Sequence, residues 1–173
     1  MRYFGGFSLQ REAPFFRDYI DESDFTVVGF SYGAQKALEY TLACEERVEK
    51  LILLSPAFFQ GKEPGFVRLQ LHAFAKKEES YLSTFMQNVA YPTTIDLLNY
   101  LDKGTKGELE ALLTYRWDRR KVSEILARGT EIEVYLGGKD RIVESEPAFT
   151  FFSSLTTTYL IKGAGHLLQC KER

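Results

Sequence analysis

Two hydrophobic periods alternate along the chain. Short apolar runs read as strands: Met1 to Phe4, Phe25 to Phe30, Leu51 to Leu54, Ile132 to Leu136 and Thr158 to Ile161. Leu51-Ile52-Leu53-Leu54 is apolar without a break, the pattern of a strand covered on both faces of a parallel sheet. Helical patterns separate the runs. One spans Glu12 to Ile20, with Pro14 in its first turn, where a missing N–H costs little. A second spans Tyr32 to about Glu46, and a third spans Pro147 to Ser154, with Ser145 as its cap. Strands alternating with helices predict an α/β architecture: a mostly parallel sheet of about five strands.

The pattern changes between residues 60 and 129. Gly61, Pro64 and Gly65 open this stretch and Gly129 closes it. Inside, helical patterns cover Phe66 to Phe74, Ser80 to Val89, Ile95 to Leu101 and Glu108 to Trp117. We read 1–173 as one domain with 60–129 inserted after the third strand as a helical lid. Such a lid would lie over the carboxyl ends of the strands, where open α/β sheets bind ligands.

The second strand runs into Gly29-Phe30-Ser31-Tyr32-Gly33, and a helical pattern follows at once. Gly-x-Ser-x-Gly alone also occurs in structural loops. Between an apolar strand and a helix it has the setting of a serine held on a sharp corner, where bulky neighbours would collide. The start of the next helix favours negative charge beside that hydroxyl. Ser31 is therefore a candidate nucleophile.

A serine hydroxyl needs a base. The chain has two histidines, His72 and His166. His72 falls in an amphipathic lid helix, where a packed or solvated histidine is the ordinary role. His166 follows the last strand in a loop of small residues, Gly163-Ala164-Gly165, and can reach the same sheet edge as Ser31. An acid must orient that base. Asp140, in Gly137-Gly138-Lys139-Asp140-Arg141-Ile142, follows the fourth strand directly. It could instead cap a turn beside Gly138, but the order Ser, Asp, His favours a triad. Oxyanion donors would be the backbone amides of Tyr32 and of Phe7, in the Gly5-Gly6-Phe7 loop, which otherwise reads as a plain glycine turn.

Composition narrows the class. The chain has 173 residues, 45% apolar and 27% charged, with net charge −2, which fits a folded domain rather than a nucleic-acid binder. Cys44 and Cys170 lack metal-type spacing and read as free thiols. No window has the apolar length to span a membrane, and the N-terminus lacks the pattern of a signal peptide. A cytoplasmic protein without metal or organic cofactor is the expectation.

These residues together resemble the α/β-hydrolases, and more narrowly the short pimeloyl-acyl-carrier-protein methyl ester esterases of the BioV type. The likeness rests on Met1 to Phe7, Gly29 to Ala34, Lys36-Ala37, Phe66 to Leu71, Gly138 to Ile142 and His166 to Gln169. It implies a reduced α/β-hydrolase fold, with Ser31, Asp140 and His166 as the triad. It also implies a substrate, the methyl ester of a seven-carbon diacid held as a thioester on the phosphopantetheine arm of acyl-carrier protein, in biotin synthesis. Larger hydrolases often carry His-Gly where Gly5-Gly6 stands here; a backbone donor survives that difference.

Two expectations follow. Crossovers moving one way along a shortened sheet put helices on one face, so a rearranged first helix or a second subunit should cover the other. The lid carries 11 Lys plus Arg against 9 Asp plus Glu. Its densest basic group, Arg116, Arg119, Arg120 and Lys121, together with Arg68, would steer an acidic carrier protein to the lid mouth. Phe66, Leu69, Phe74 and Phe85 are candidates for lining an acyl channel.

Overall fold

In the computed structural model, which describes residues 1–171 apart from the Pro64 side chain, the strands form one parallel sheet in the order β1-β2-β3-β4-β5. They are β1 Arg2–Phe4, β2 Thr26–Phe30, β3 Lys50–Leu54, β4 Glu131–Gly137 and β5 Thr157–Ile161. Helix α1 (Tyr32–Ala43) joins β2 to β3, and α6 (Ser145–Ser153) joins β4 to β5. Between β3 and β4 lie α2 (Pro64–Lys76), α3 (Glu78–Ala90), α4 (Lys106–Thr114) and α5 (Arg119–Ala127). Residues 172 and 173 of the expected domain range fall outside the described residues.

One face of the sheet packs as the alternation dictates. Val27, Leu51, Leu53, Ile132, Val134 and Leu136 point to one side. They meet Ala34, Ala37 and Leu38 of α1, Val122 and Ile125 of α5, and Ala148 and Phe152 of α6.

The other face is covered from within the chain. Val28, Phe30, Ile52 and Leu54 pack against Phe16, against Met86, Val89, Ala90 and Leu97 from α3 and the segment after it, and against Leu167 and Leu168. Phe16 is fully buried with its ring 4.6 Å from that of Phe30; burying one such side chain contributes about 1.5–3 kcal/mol. The lid's share in covering this face was not foreseen, and over β2 and β3 the cover needs no second subunit.

Several expected elements differ. The helix expected over Glu12 to Ile20 is a single 3-10 turn, Ala13–Phe16. Seating Phe16 on the sheet ends the helix, and the Phe16 carbonyl accepts from both Tyr19 and Ile20 amides. The Ile95 to Leu101 pattern yields only a 3-10 turn at Leu98–Tyr100. There the backbone pairs with another segment: the Gln10 amide donates to the Tyr100 carbonyl at 2.8 Å and the Asp102 amide to the Ser8 carbonyl at 3.0 Å.

The Glu108 to Trp117 pattern starts earlier, on a Thr105–Glu108 capping box, and stops at Thr114. Trp117 leaves the helix to donate its indole N–H to the Ala57 carbonyl. Helix α5 was missed because Arg116 to Lys121 read as a charge run. Its signal was Asp118, which caps the Arg120 amide, followed by Val122 and Ile125 on one face. Ser145 is not the cap of α6; its hydroxyl donates to the Gly137 carbonyl and ties the helix to β4.

Candidate active site

Ser31 sits at the β2–α1 corner with φ +54 and ψ −113, a left-handed backbone that a residue with a side chain rarely adopts. The flanking glycines make that corner possible. A Cβ on Gly29 would lie 2.4 Å from the Gly33 carbonyl oxygen, and one on Gly33 would lie 2.0 Å from that of Phe4. The Ser31 amide donates to the Leu54 carbonyl at 2.9 Å, and the Ser31 carbonyl accepts from Ala34 and Ala57. The backbone thus fixes the position of Oγ.

His166 and Asp140 converge on it. Ser31 Oγ lies 2.9 Å from His166 Nε2, and His166 Nδ1 lies 2.6 Å from Asp140 Oδ2. Ser31 is 4% exposed, His166 is fully buried, and the Asp140 side chain is 1% exposed. Asp140 also performs the turn-capping role weighed as its alternative: Oδ1 accepts from the Ile142 and Val143 amides at 2.7 and 3.0 Å. The two roles share one carboxylate, and the cap leaves Oδ2 aimed at the imidazole. With Asp140 on Nδ1, the neutral tautomer protonated there leaves Nε2 to accept from the serine hydroxyl. The Phe30 ring packs against the imidazole, with centroids 5.0 Å apart.

Two supporting residues escaped the sequence reading. Ser55, buried just past β3, donates its hydroxyl to the His166 carbonyl at 2.7 Å and holds the histidine loop. Glu12, 1% exposed, accepts from the Gly6 amide at 2.9 Å and from the Tyr3 hydroxyl at 3.2 Å, so it shapes the loop leading to Phe7. Burial, then the Glu12 carboxylate, push the Tyr3 phenol far above its usual range, so Tyr3 stays a donor. Neither side chain lies in a recognisable motif. An acid two residues before a proline was the only trace of Glu12.

Phe7 lines the same cavity as Ser31, and Tyr32 opens α1. Among the described residues neither backbone amide donates a hydrogen bond. The cavity holds about 490 Å³. Phe59, Phe66 and Phe85 with leucines 109, 112 and 113 give it apolar walls, and Gln70, Tyr81, Thr84 and Asn88 add polar groups from α2 and α3. Burial pushes the Tyr81 phenol up to about 12, and its hydroxyl donates to Gln70 Oε1.

Of the four side chains expected to line an acyl channel, Phe66 and Phe85 do so. Leu69 is 63% exposed on the outer side of α2, and Phe74 is buried between Phe7 and Tyr81. His72 is exposed on α2, away from the cavity.

The five basic candidates do not gather at the cavity mouth. Arg68 lies beside His72 and Lys106. Arg116 donates to the Gln60 carbonyl, Arg119 to the Ser154 hydroxyl, Arg120 faces Asp118 and Lys121 pairs with Glu39. Arg116, Arg119, Arg120 and Lys121 each have a local partner on their own surface, and Arg68 lies apart from them on α2. The cations that line the cavity are Lys62 and Arg141. Among the described residues no three His, Cys, Asp or Glu side chains are grouped to hold a metal, and no helix is long and apolar enough to cross a membrane.

No protein-family model and no curated protein matches the chain. Solved structures do. A crystal structure of E-2-(acetamidomethylene)succinate hydrolase matches with TM-score 0.60 at 13% identity, over 96% of this chain and 84% of that one. BioG from Haemophilus influenzae matches with TM-score 0.57 at 13% identity, over 95% and 87%. The carboxylesterase CesB from Bacillus subtilis matches with TM-score 0.54 at 20% identity, over 93% and 62%. The chain has a reduced α/β-hydrolase fold. It spans about 53–62% of the length of the esterases it matches.

Proposed function

We propose that the protein is a serine hydrolase of carboxylic esters, with Ser31 as nucleophile, His166 as general base and Asp140 as the group that orients it. The observation that carries this reading is the unbroken contact from Ser31 Oγ to His166 Nε2 and from His166 Nδ1 to Asp140 Oδ2. In the reaction Ser31 Oγ attacks the ester carbonyl as His166 takes its proton, and Asp140 stabilises the imidazolium. The carbonyl oxygen, now negative, is received by the Phe7 and Tyr32 amides at the positive end of α1. His166 returns the proton to the departing alcohol. Water, activated by the same imidazole, then releases the acid and frees Ser31. No cofactor takes part.

For the substrate we propose the methyl ester of pimeloyl-acyl-carrier protein, cleaved to pimeloyl-acyl-carrier protein and methanol in biotin synthesis. The resemblance in the motifs supports it, as do the apolar walls that Phe59, Phe66, Phe85 and leucines 109, 112 and 113 give the cavity at Ser31. The insertion would act as a lid that presents the distal ester to Ser31 and leaves the thioester outside. The likeness to carboxylesterases favours a second reading, a general short-chain carboxylesterase or thioesterase.

A fluorophosphonate probe tests the chemistry: labelling of the protein, absent in Ser31→Ala, is expected. An unlabelled, folded wild type rejects the hydrolase. Incubation with the methyl-pimeloyl carrier protein separates the two substrates. Methanol release with the thioester intact, and rescue of a biotin-requiring strain lacking its own esterase, are expected of the specific enzyme. Thioester cleavage, or no rescue by a well-expressed protein, leaves the general esterase.

A further inference from the structure

Arg141 stands apart from the other cations of the molecule. It lines the cavity that holds Ser31, and its guanidinium lies over the Tyr91 ring, 3.3 Å from the centroid. Stacking on an aromatic face holds a guanidinium in place while leaving its edge N–H groups free. Among the described residues Arg141 forms no ion pair and donates no side-chain hydrogen bond. The other cation of the cavity, Lys62, is taken up by Glu144. Glu146, in the first turn of α6, also lines the cavity, yet the guanidinium lies on Tyr91.

Both ends of this arrangement are tied to the reacting groups. Arg141 lies inside the turn that Asp140 caps through the Ile142 and Val143 amides, so its backbone is positioned by the orienting acid itself. Tyr91 packs its carbonyl against the histidine loop: a Cβ on Gly165 would lie 1.7 Å from that oxygen. The guanidinium is thus held beside the loops that carry Asp140 and His166, and Arg141 shares with Ser31 the lining of one cavity.

We infer that Arg141 is a specificity-determining residue that binds an anionic group of the substrate, a carboxylate or a phosphate, at the cavity that holds Ser31. Five donors in a planar fork match either group. The inference rests on the esterase reading for the identity of the site. It adds that the preferred esters carry a negative charge away from the bond that is cut. A carboxylate would be the second acid of a diacid half ester; a phosphate would belong to a pantetheine arm.

The test reads a ratio. kcat/KM is measured for wild type, Arg141→Ala and Arg141→Lys on the dimethyl ester of a seven-carbon diacid and on its half ester with a free carboxylate. It is then measured on methyl-pimeloyl thioesters of pantetheine and of 4′-phosphopantetheine. Arg141→Ala is expected to lower the anionic-to-neutral ratio in one pair by about tenfold to a hundredfold, and Arg141→Lys to recover part of it. A drop in the first pair identifies a carboxylate, and a drop in the second identifies a phosphate. Ratios equal to wild type in both pairs overturn the inference.

Calorimetric titration of the free diacid and of 4′-phosphopantetheine into Ser31→Ala protein reads binding without turnover. Heat lost on adding Arg141→Ala supports the inference; no heat, or heat that the second substitution leaves unchanged, overturns it. Failure of wild type to cleave any ester would instead overturn the esterase reading.

Discussion

The strand ends and the helical insertion build the two sides of one cavity by different means. At the strand ends the side chains of the proposed triad are fixed by backbone. Ser31 is held by the Leu54 carbonyl and by the close approach of Gly33 to Phe4, and Asp140 by two amides. His166 is held through its own carbonyl by Ser55. On the insertion side, the wall is a set of side chains on α2, α3 and α4 that meet the loop after β1 through aromatic contacts, such as Phe7 with Phe85 at 5.7 Å. Backbone fixing tolerates no change of geometry, whereas side-chain walls can be resized. On the proposed esterase reading, the strand ends set whether the reaction happens, and the insertion, together with Arg141, sets which ester fits.

Substitutions at three positions test that division, and one at a fourth lies outside the cavity. The largest effect is expected from His166→Ala, which removes the base: kcat on a methyl or p-nitrophenyl ester should fall by about a thousandfold or more. Circular dichroism should show a folded protein. A comparable loss of kcat from any wall substitution would break the comparison.

Glu12→Ala comes next. It strips the acceptor from the Gly6 amide and the Tyr3 hydroxyl in a buried setting, with an expected stability loss of about 1–3 kcal/mol in urea melts. Because the loop leads to Phe7, kcat should fall by about tenfold with little change in KM. Glu12→Gln keeps an acceptor and should restore most of both.

Phe85→Ala enlarges the wall without touching the relay. KM for a medium-chain ester should rise by about threefold to tenfold while kcat stays within about threefold. A fall in kcat alone would place Phe85 with the strand ends.

The smallest effect is a pH dependence far from the cavity, where Glu39 joins α1 to the end of the insertion through Lys121 and Tyr115. Burial raises the Glu39 carboxyl, but these hydrogen bonds outweigh it and hold the pKa below the ordinary value. The stabilisation is present above that ordinary value and lost as pH falls through the lowered one. Glu39→Gln should therefore lower the thermal midpoint slightly at neutral pH and leave it nearly unchanged in acid, as read by thermal melts across pH.

The strands and the serine corner were legible because they are local. An unbroken apolar run such as Leu51 to Leu54, or a serine between two glycines at a strand's end, states its structure within a few residues. The insertion was less so. Ile95 to Leu101 has a helical period, yet its backbone finds partners in Ser8 and Gln10, far off in sequence. Arg119 to Ala127 is a helix whose opening charges hid the Asp118 cap and the Val122–Ile125 stripe. The charge cluster read as a docking face dispersed because each cation met a different neighbour.

By itself the sequence determined the alternation of strands and helices and the corner at Ser31. Those depend on backbone sterics and on periodicity, which act over a few bonds. Only the tertiary structure decided that Glu12 would be buried behind the Gly5-Gly6 loop and Ser55 beneath His166. It also decided that α3 and the segment after it would help close the second face of the sheet. Such pairings join distant parts of the chain through desolvated contacts, and a buried donor or acceptor takes whichever partner the packed fold brings to it.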